Sequence, residues 1–213
     1  MILYGPTDPY AKRVFMRTLF LATRNLHKLE EFRAIFSDLP LRLLSLRDLQ
    51  LATDVEETGT TYAENAELKA RAYAQVSNMS TLADDSGLEI DALGGAPGVQ
   101  SARYLGSETS YEERFRVILE LLKGLSLDQR SARFRCVIAL VEPLGNIRIV
   151  EGVVEGVIAD GPRGTNGFGY DPIFSLPELG KTFAELEPEY KNRISHRARA
   201  AQSARKLLED WPV

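Results

Sequence analysis

The 213-residue chain reads as an α/β protein built on a mixed, twisted sheet flanked by helices. Two observations predict this class. Strand-like apolar runs near the start alternate with stretches of helical period, as in βα units. Later, two long strand-like runs separated by a short turn read as an antiparallel hairpin, which does not belong to a purely parallel sheet.

Taken in order, Thr18 to Thr23 is a short apolar run that suits a buried strand. From Asn25 the period changes: Leu26, Leu29, Phe32 or Arg33, and Phe36 fall at helical spacing, with Glu30 and Glu31 on other faces. Leu41 to Leu46 is a second candidate strand. Thr61-Tyr62-Ala63-Glu64 is a capping box, opening an alanine-rich helix to about Val76. Thr81 to Ala83 reads as a short strand ending in Asp84-Asp85-Ser86-Gly87, with Leu88 to Ile90 after it. Ser110-Tyr111-Glu112-Glu113 is another capping box; Phe115, Ile118, Leu119 and Leu122 form that helix's apolar stripe, and Gly124 suits its end. Phe134 to Val141 and Ile147 to Ile158 are the hairpin strands, turning across Pro143-Leu144-Gly145-Asn146. A glycine-dense loop, Gly161 to Gly169, precedes a last helix from Ser195 to about Glu209. Residues 1–15 hold Pro6, Pro9 and no clear period, and read as an N-terminal extension of unknown role before one domain, 16–213.

The net charge of −4 opposes a broad nucleic-acid surface, which needs clustered Lys and Arg. It does not oppose a small triphosphate, whose charge a few cations and a metal can meet. The one cysteine, Cys136, excludes an intrachain disulfide, and its apolar surroundings suit a core residue. No run reaches the roughly 18 apolar residues of a membrane span, and no signal peptide is evident, so the expected compartment is the cytoplasm.

Four constellations carry candidate chemistry. Thr23-Arg24-Asn25-Leu26-His27-Lys28 lies at a strand-to-helix turn, where unpaired N–H groups attract phosphate. Asn25 can cap the helix. Lys28 in the first turn opposes the macrodipole and makes better sense beside an anion, although a plain cap followed by a solvated lysine has the same sequence. Asp54, Glu56 and Glu57, then Asp84-Asp85-Ser86, form an acidic set. Mg²⁺ takes one or two carboxylates and completes its shell with water and phosphates, but Asp-Asp-Ser-Gly is also good turn chemistry. Gly161 to Pro172 is neither a Walker loop nor a dinucleotide fingerprint; its Phe168 and Tyr170 suit a base-stacking platform or anchors to the core. Lys191-Asn192-Arg193-Ile194-Ser195-His196-Arg197 places cations at the start of a helix that Ser195 can cap, as an anionic or polar ligand or a solvated basic turn would have it.

Together these segments resemble the inosine triphosphate pyrophosphatase family, the Ham1-like proteins. The resemblance runs through Thr-x-Asn-x-x-Lys at Thr23 to Lys28, Glu-Glu-Thr-Gly-x-Thr at Glu56 to Thr61 and Ala-Asp-Asp-Ser-Gly-Leu at Ala83 to Leu88. Gly-Gly-Ala-Pro-Gly at Gly94 to Gly98, Phe-Gly-Tyr-Asp-Pro-Ile-Phe at Phe168 to Phe174 and Ser-His-Arg at Ser195 to Arg197 follow in the family's order. It covers about Leu19 to Leu208. It implies an elongated two-lobed α/β fold with a cleft between the lobes, a homodimer, Mg²⁺ as cofactor, and hydrolysis of ITP, dITP and XTP to monophosphate and pyrophosphate. In residue terms it implies that Thr23, Arg24, Asn25, Leu26, His27 and Lys28 hold the triphosphate, with Lys28 also catalytic. Asp85 becomes general base, metal ligand or both, and Glu56 the second Mg²⁺ carboxylate, with Glu57 an open alternative. Ser86 contacts substrate, and Phe168, Gly169, Tyr170, Asp171, Lys191, His196 and Arg197 surround base and sugar. Arg24 stands where many relatives carry glycine, and can add a phosphate contact. The competing expectations are a Maf-like pyrophosphatase, which the Phe-Gly-Tyr-Asp and Ser-His-Arg segments oppose, and a nucleotide-binding module without turnover, which the intact Lys28, Glu56 and Asp85 oppose.

Overall fold

The computed structural model describes residues 16–51 and 55–209; the N-terminal extension and Asp54 of the acidic set lie outside the described residues. β1 (Arg17–Leu21), α1 (Leu26–Ile35), β2 (Leu41–Ser45), α2 (Tyr62–Ser77) and β3 (Thr81–Ile90) come first. α3 (Tyr111–Leu121), β4 (Ser131–Val141), β5 (Ile147–Ile158), β6 (Phe174–Leu176), β7 (Lys181–Thr182), α4 (Pro188–Ile194) and α5 (His196–Glu209) follow. The sheet order is β2-β1-β3-β4-β5-β6-β7, with β1 parallel to both its neighbours and every later pair antiparallel. The mixed sheet expected from the sequence is present.

Local chemistry sets the helix starts. Asn25 caps α1 by accepting from the N–H groups of His27 and Lys28, and Thr61 closes a full capping box with Glu64 on α2. Ser110 accepts from the Glu113 N–H, but the Glu113 carboxylate turns to Arg116 at 2.6 and 2.8 Å, so this box is made by one half only. β6, β7 and α4 lack a sequence counterpart because elements of two, three and seven residues are too short to show a period.

One expectation is overturned. Asp84 to Gly87 is not a turn after a short strand: β3 runs unbroken, with Asp84 opposite Ile138, Asp85 opposite Val137 and Gly87 opposite Arg135. Turn-forming composition yields to the continuous ladder that the long β4 offers. Gly87 serves close approach instead, since a Cβ there would lie 2.3 Å from the Gly98 carbonyl oxygen and 2.5 Å from Ser101 Oγ.

Packing then leaves a gap at the right place. On one face of β3, Leu82 packs with Phe32, Ile138 and Ala201 under α1 and α5, while Leu88 and Ile90 pack with Ile118, Phe134 and Phe174. Each such buried side chain contributes roughly 1.5–3 kcal/mol. Asp84 and Ser86 share that face and fall between the two apolar groups. The opposite face carries Ala83, Val137 and Ala139 beneath Ala66, Ala70 and Tyr73 of α2.

Candidate active site

β1 pairs with β3 only at Phe20–Thr81 and Leu21–Leu82, and then leaves it. Side chains meet the backbone on the edge so released. The Asp84 carbonyl accepts from Lys69 Nζ at 2.7 Å, the Ser86 N–H donates to Asp85 Oδ1 at 3.0 Å, and the Leu88 N–H donates to Ser101 Oγ at 2.9 Å. A crevice of about 270 Å³ wraps this edge and therefore gathers residues from both faces of the sheet, Asp85 from one and Ser86 from the other.

At one end stands the start of α1. Thr23, Arg24, Asn25 and Lys28 line the crevice, and Thr23 Oγ1 accepts from the Asn25 N–H at 3.2 Å. Lys28 Nζ meets Asp84 at 2.8 Å, which answers why a cation sits against the helix dipole. Leu26 does not join them; it borders a shallow depression beside Ser45 and Gln50. His27 is exposed outside the crevice, its ring stacked on Phe168 at 5.1 Å.

In the middle are the acids. Asp85 Oδ2 accepts from Asn65 at 3.1 Å, and Lys69 Nζ stands 3.9 Å from its other oxygen. Burial pushes the Asp85 carboxyl above its ordinary range, with Lys69 and Lys28 offsetting part of the rise. Asp84 is more deeply buried, yet the cations Lys28, Arg197 and Lys69 overcome that burial and hold its carboxyl well below the usual range. Lys69 also meets Glu57 at 2.6 Å. Glu57 is half-buried and lines the crevice, whereas Glu56 is exposed and does not, because successive residues of this extended segment face opposite ways. Among the described residues no three His, Cys, Asp or Glu side chains converge as a metal cage. Two carboxylates, Glu57 and Asp85, within 4 Å of one ammonium at an open crevice form the sparse oxygen set that suits Mg²⁺ sharing substrate phosphates.

The far end is made by the glycine-rich loop and the α4–α5 junction. Ser195 caps α5 through the Ala198 N–H. Arg197 is buried, donating to Glu31 and, at 3.0 Å, to Ser86 Oγ; its Nε has no partner among the described residues. Lys191, also buried, donates to Asp171 and to Glu31, and its charge stands 5.0 Å from the centre of the Phe168 ring. Both carboxylates hold this ammonium protonated against the effect of burial. His196 is stacked against Phe134, ring centroids 4.6 Å apart, and its Nδ1 has no partner among the described residues. Burial, helped by the Arg197 and Lys191 charges, drives its pKa well below the normal value and keeps the imidazole neutral. Phe168 is half-buried at the crevice wall beside Gly169. Tyr170, expected as a second stacking surface, is buried instead: its hydroxyl donates to the Ser101 carbonyl at 3.0 Å and Tyr111 meets its ring edge-on. Asp171 faces inward too, accepting from the Phe168 N–H at 2.8 Å as well as from Lys191.

Three residues at the centre of this network carried no signal in the sequence. Lys69 and Asn65 lie in an alanine-rich amphipathic helix, where a lysine reads as solvated. Glu31 belongs to an acidic pair in α1 and is nevertheless buried.

Fold and crevice together define a class: a mixed-sheet α/β protein that sets a helix start and its lysine against buried carboxylates at the open edge of one strand. The chain belongs to the Ham1 family, whose sequence profile matches residues 19–207. It is 48% identical to a dITP/XTP pyrophosphatase of Geobacillus kaustophilus over 92% of this chain and 95% of that protein. It is 46% identical to a dITP/XTP pyrophosphatase of Bacillus subtilis over 92% of this chain and 99% of that one. Its fold is similar to that of a Ham1 protein from Coxiella burnetii, with TM-score 0.83 at 44% identity, covering 92% of this chain and all of that structure (100%). The Staphylococcus aureus Ham1 protein superposes with TM-score 0.81 at 43% identity, over 91% and 99% of the two chains.

Proposed function

We propose that the protein hydrolyses non-standard purine nucleoside triphosphates, ITP, dITP and XTP, to the monophosphate and pyrophosphate, and so cleanses the nucleotide pool. The observation that carries this reading is one crevice joining a helix start with Lys28, the carboxylates Asp85 and Glu57, and an aromatic and cationic far end at Phe168, Lys191 and Arg197. The relatives named dITP/XTP pyrophosphatase support the same reaction.

The α1 start, with Thr23, Arg24, Asn25 and Lys28, receives the phosphates. Glu57 and Asp85 are the residues that would hold Mg²⁺, which supplies charge neutralisation at the phosphate oxygens. Asp85 orients the attacking water and takes its proton as the α–β anhydride bond breaks, its ionised carboxylate being the working form. Ser86 contacts the substrate beside it. At the far end Phe168 stacks on the purine. Arg197 and neutral His196 offer N–H groups to a 6-oxo oxygen, facing adenine's 6-amino group donor against donor. Guanine shares the 6-oxo group, so its exclusion rests on intolerance of a donor at position 2, where xanthine carries an acceptor.

A homodimer in the cytoplasm completes the reading; the dimer rests on the family resemblance. Among the described residues no helix is long and apolar enough to cross a membrane. The decisive assay is pyrophosphate release from ITP, dITP, XTP, ATP and GTP with and without Mg²⁺. Release confined to the first three and to the metal is the expected result; release of inorganic phosphate alone, or none from any triphosphate, overturns it.

A further inference from the structure

Glu31 is a carboxylate on α1, one turn beyond Lys28, and is 9% exposed. Its two oxygens are divided between two cations from elsewhere in the chain. Oε1 accepts from Lys191 Nζ at 2.9 Å, and Oε2 accepts from an Arg197 terminal nitrogen. Burial alone would raise its pKa, but the Arg197 and Lys191 charges bring it below the ordinary carboxylate value, so it is ionised. We infer that Glu31 is a positioning residue for base recognition: its carboxylate holds the Lys191 ammonium and the Arg197 guanidinium side by side where they meet the purine. This inference rests on the reading that Arg197 and Lys191 face the base.

The electrostatics require such a group. Lys191 and Arg197 are both buried and long, and as like charges in a poorly solvated place they repel. Each has a second carboxylate available on its outer side: Asp171 for Lys191, and Asp84, 3.6 Å away, for Arg197. Without Glu31 between them, Lys191 stays on Asp171, which it already meets, Arg197 is drawn to Asp84, and the two cations part. Arg197 in particular would close on Asp84, away from Phe168, over whose ring it now lies at 5.5 Å. Because Glu31 shares α1 with Lys28, the helix that receives the phosphates also fixes the side chains that read the base.

The test compares Glu31→Gln, Glu31→Asp and Arg197→Ala with the wild-type enzyme in kcat/KM for ITP and ATP, with melting temperatures alongside. Glu31→Gln keeps shape and removes charge, and it is expected to lower the ITP-to-ATP ratio about 10-fold or more, chiefly through KM for ITP. Glu31→Asp should fall between it and wild type. A merely structural role would lower both substrates in parallel with the folded fraction and leave the ratio alone. An unchanged ratio in Glu31→Gln beside a narrowed one in Arg197→Ala overturns the role of Glu31 and spares the base reading. An unchanged ratio in Arg197→Ala overturns both. If Glu31→Gln does not fold, Glu31→Asp decides: a narrowed ratio supports the inference and a wild-type ratio overturns it.

Discussion

Asp84 meets the Lys28 ammonium at 2.8 Å on one face of β3, while Asp85, the next residue, takes its hydrogen bond from Asn65 on the other face. Adjacent carboxylates thus avoid repelling each other and acquire opposite properties, Asp84 strongly acidic and Asp85 raised toward basicity. In the proposed reaction the pair divides the labour: Asp84 anchors Lys28, and Asp85 is left to accept a proton.

Asp85→Asn is therefore expected to cut kcat by about 100-fold or more, the usual span for losing an acid–base group, with KM little changed. Because Asp85 must be ionised to act, the wild-type rate should fall on acidification as its carboxylate takes up a proton. Near-normal turnover of Asp85→Asn at saturating Mg²⁺ would remove Asp85 from its assigned role.

Metal dependence should be strict, with Mg²⁺ preferred and Ca²⁺ poorly productive, since few carboxylates suit a small octahedral ion. Glu57→Gln should raise the Mg²⁺ concentration for half-maximal rate by about 10-fold or more, whereas the outward Glu56→Gln should leave it within about 2-fold. Full activity in excess EDTA, or the reverse ranking of the two variants, contradicts the assignment.

Base selectivity should show as kcat/KM for ITP, dITP and XTP on the order of 100-fold above ATP and GTP. Arg197→Ala should narrow the ITP-to-ATP ratio, and Phe168→Ala should weaken all purines alike, because stacking does not discriminate. Comparable values for ITP, GTP and ATP in the wild type would leave a general triphosphate pyrophosphatase.

His196 gives a pH test of stability. Its folded pKa is depressed, so the unfolded chain binds a proton near pH 6.5 that the folded protein refuses. Stability contributed by the neutral imidazole is present above that pH and is lost as pH falls below it, at up to about 1.4 kcal/mol per pH unit for one proton. Urea unfolding at pH 7.5 and 5.5 should show this slope in wild type and its reduction by one proton in His196→Phe, whose ring can keep the stack on Phe134. Identical pH dependence in the two proteins would falsify it.

Much of this was legible in the sequence. The Asn25 cap, the Thr61–Glu64 box and the hairpin after Phe134 are local signals, set by residues within a turn or two of one another. What was hidden depends on distant partners. Asp84 to Gly87 has the composition of a turn and becomes strand only because β4 pairs with it. Lys69 and Glu31 look solvated until Asp85, Glu57, Lys191 and Arg197 are folded against them. Tyr170 reads as a platform beside Phe168, and only the approach of Tyr111 and Ser101 buries it.

The early departure of β1 from β3 has a consequence for self-association. A strand edge released from its neighbour is a template on which another chain can add. Here Lys69, Asp85 and Ser101 already engage the Asp84 carbonyl and the Ser86 and Leu88 N–H groups. The same side chains that line the crevice thus shield this edge from strand addition.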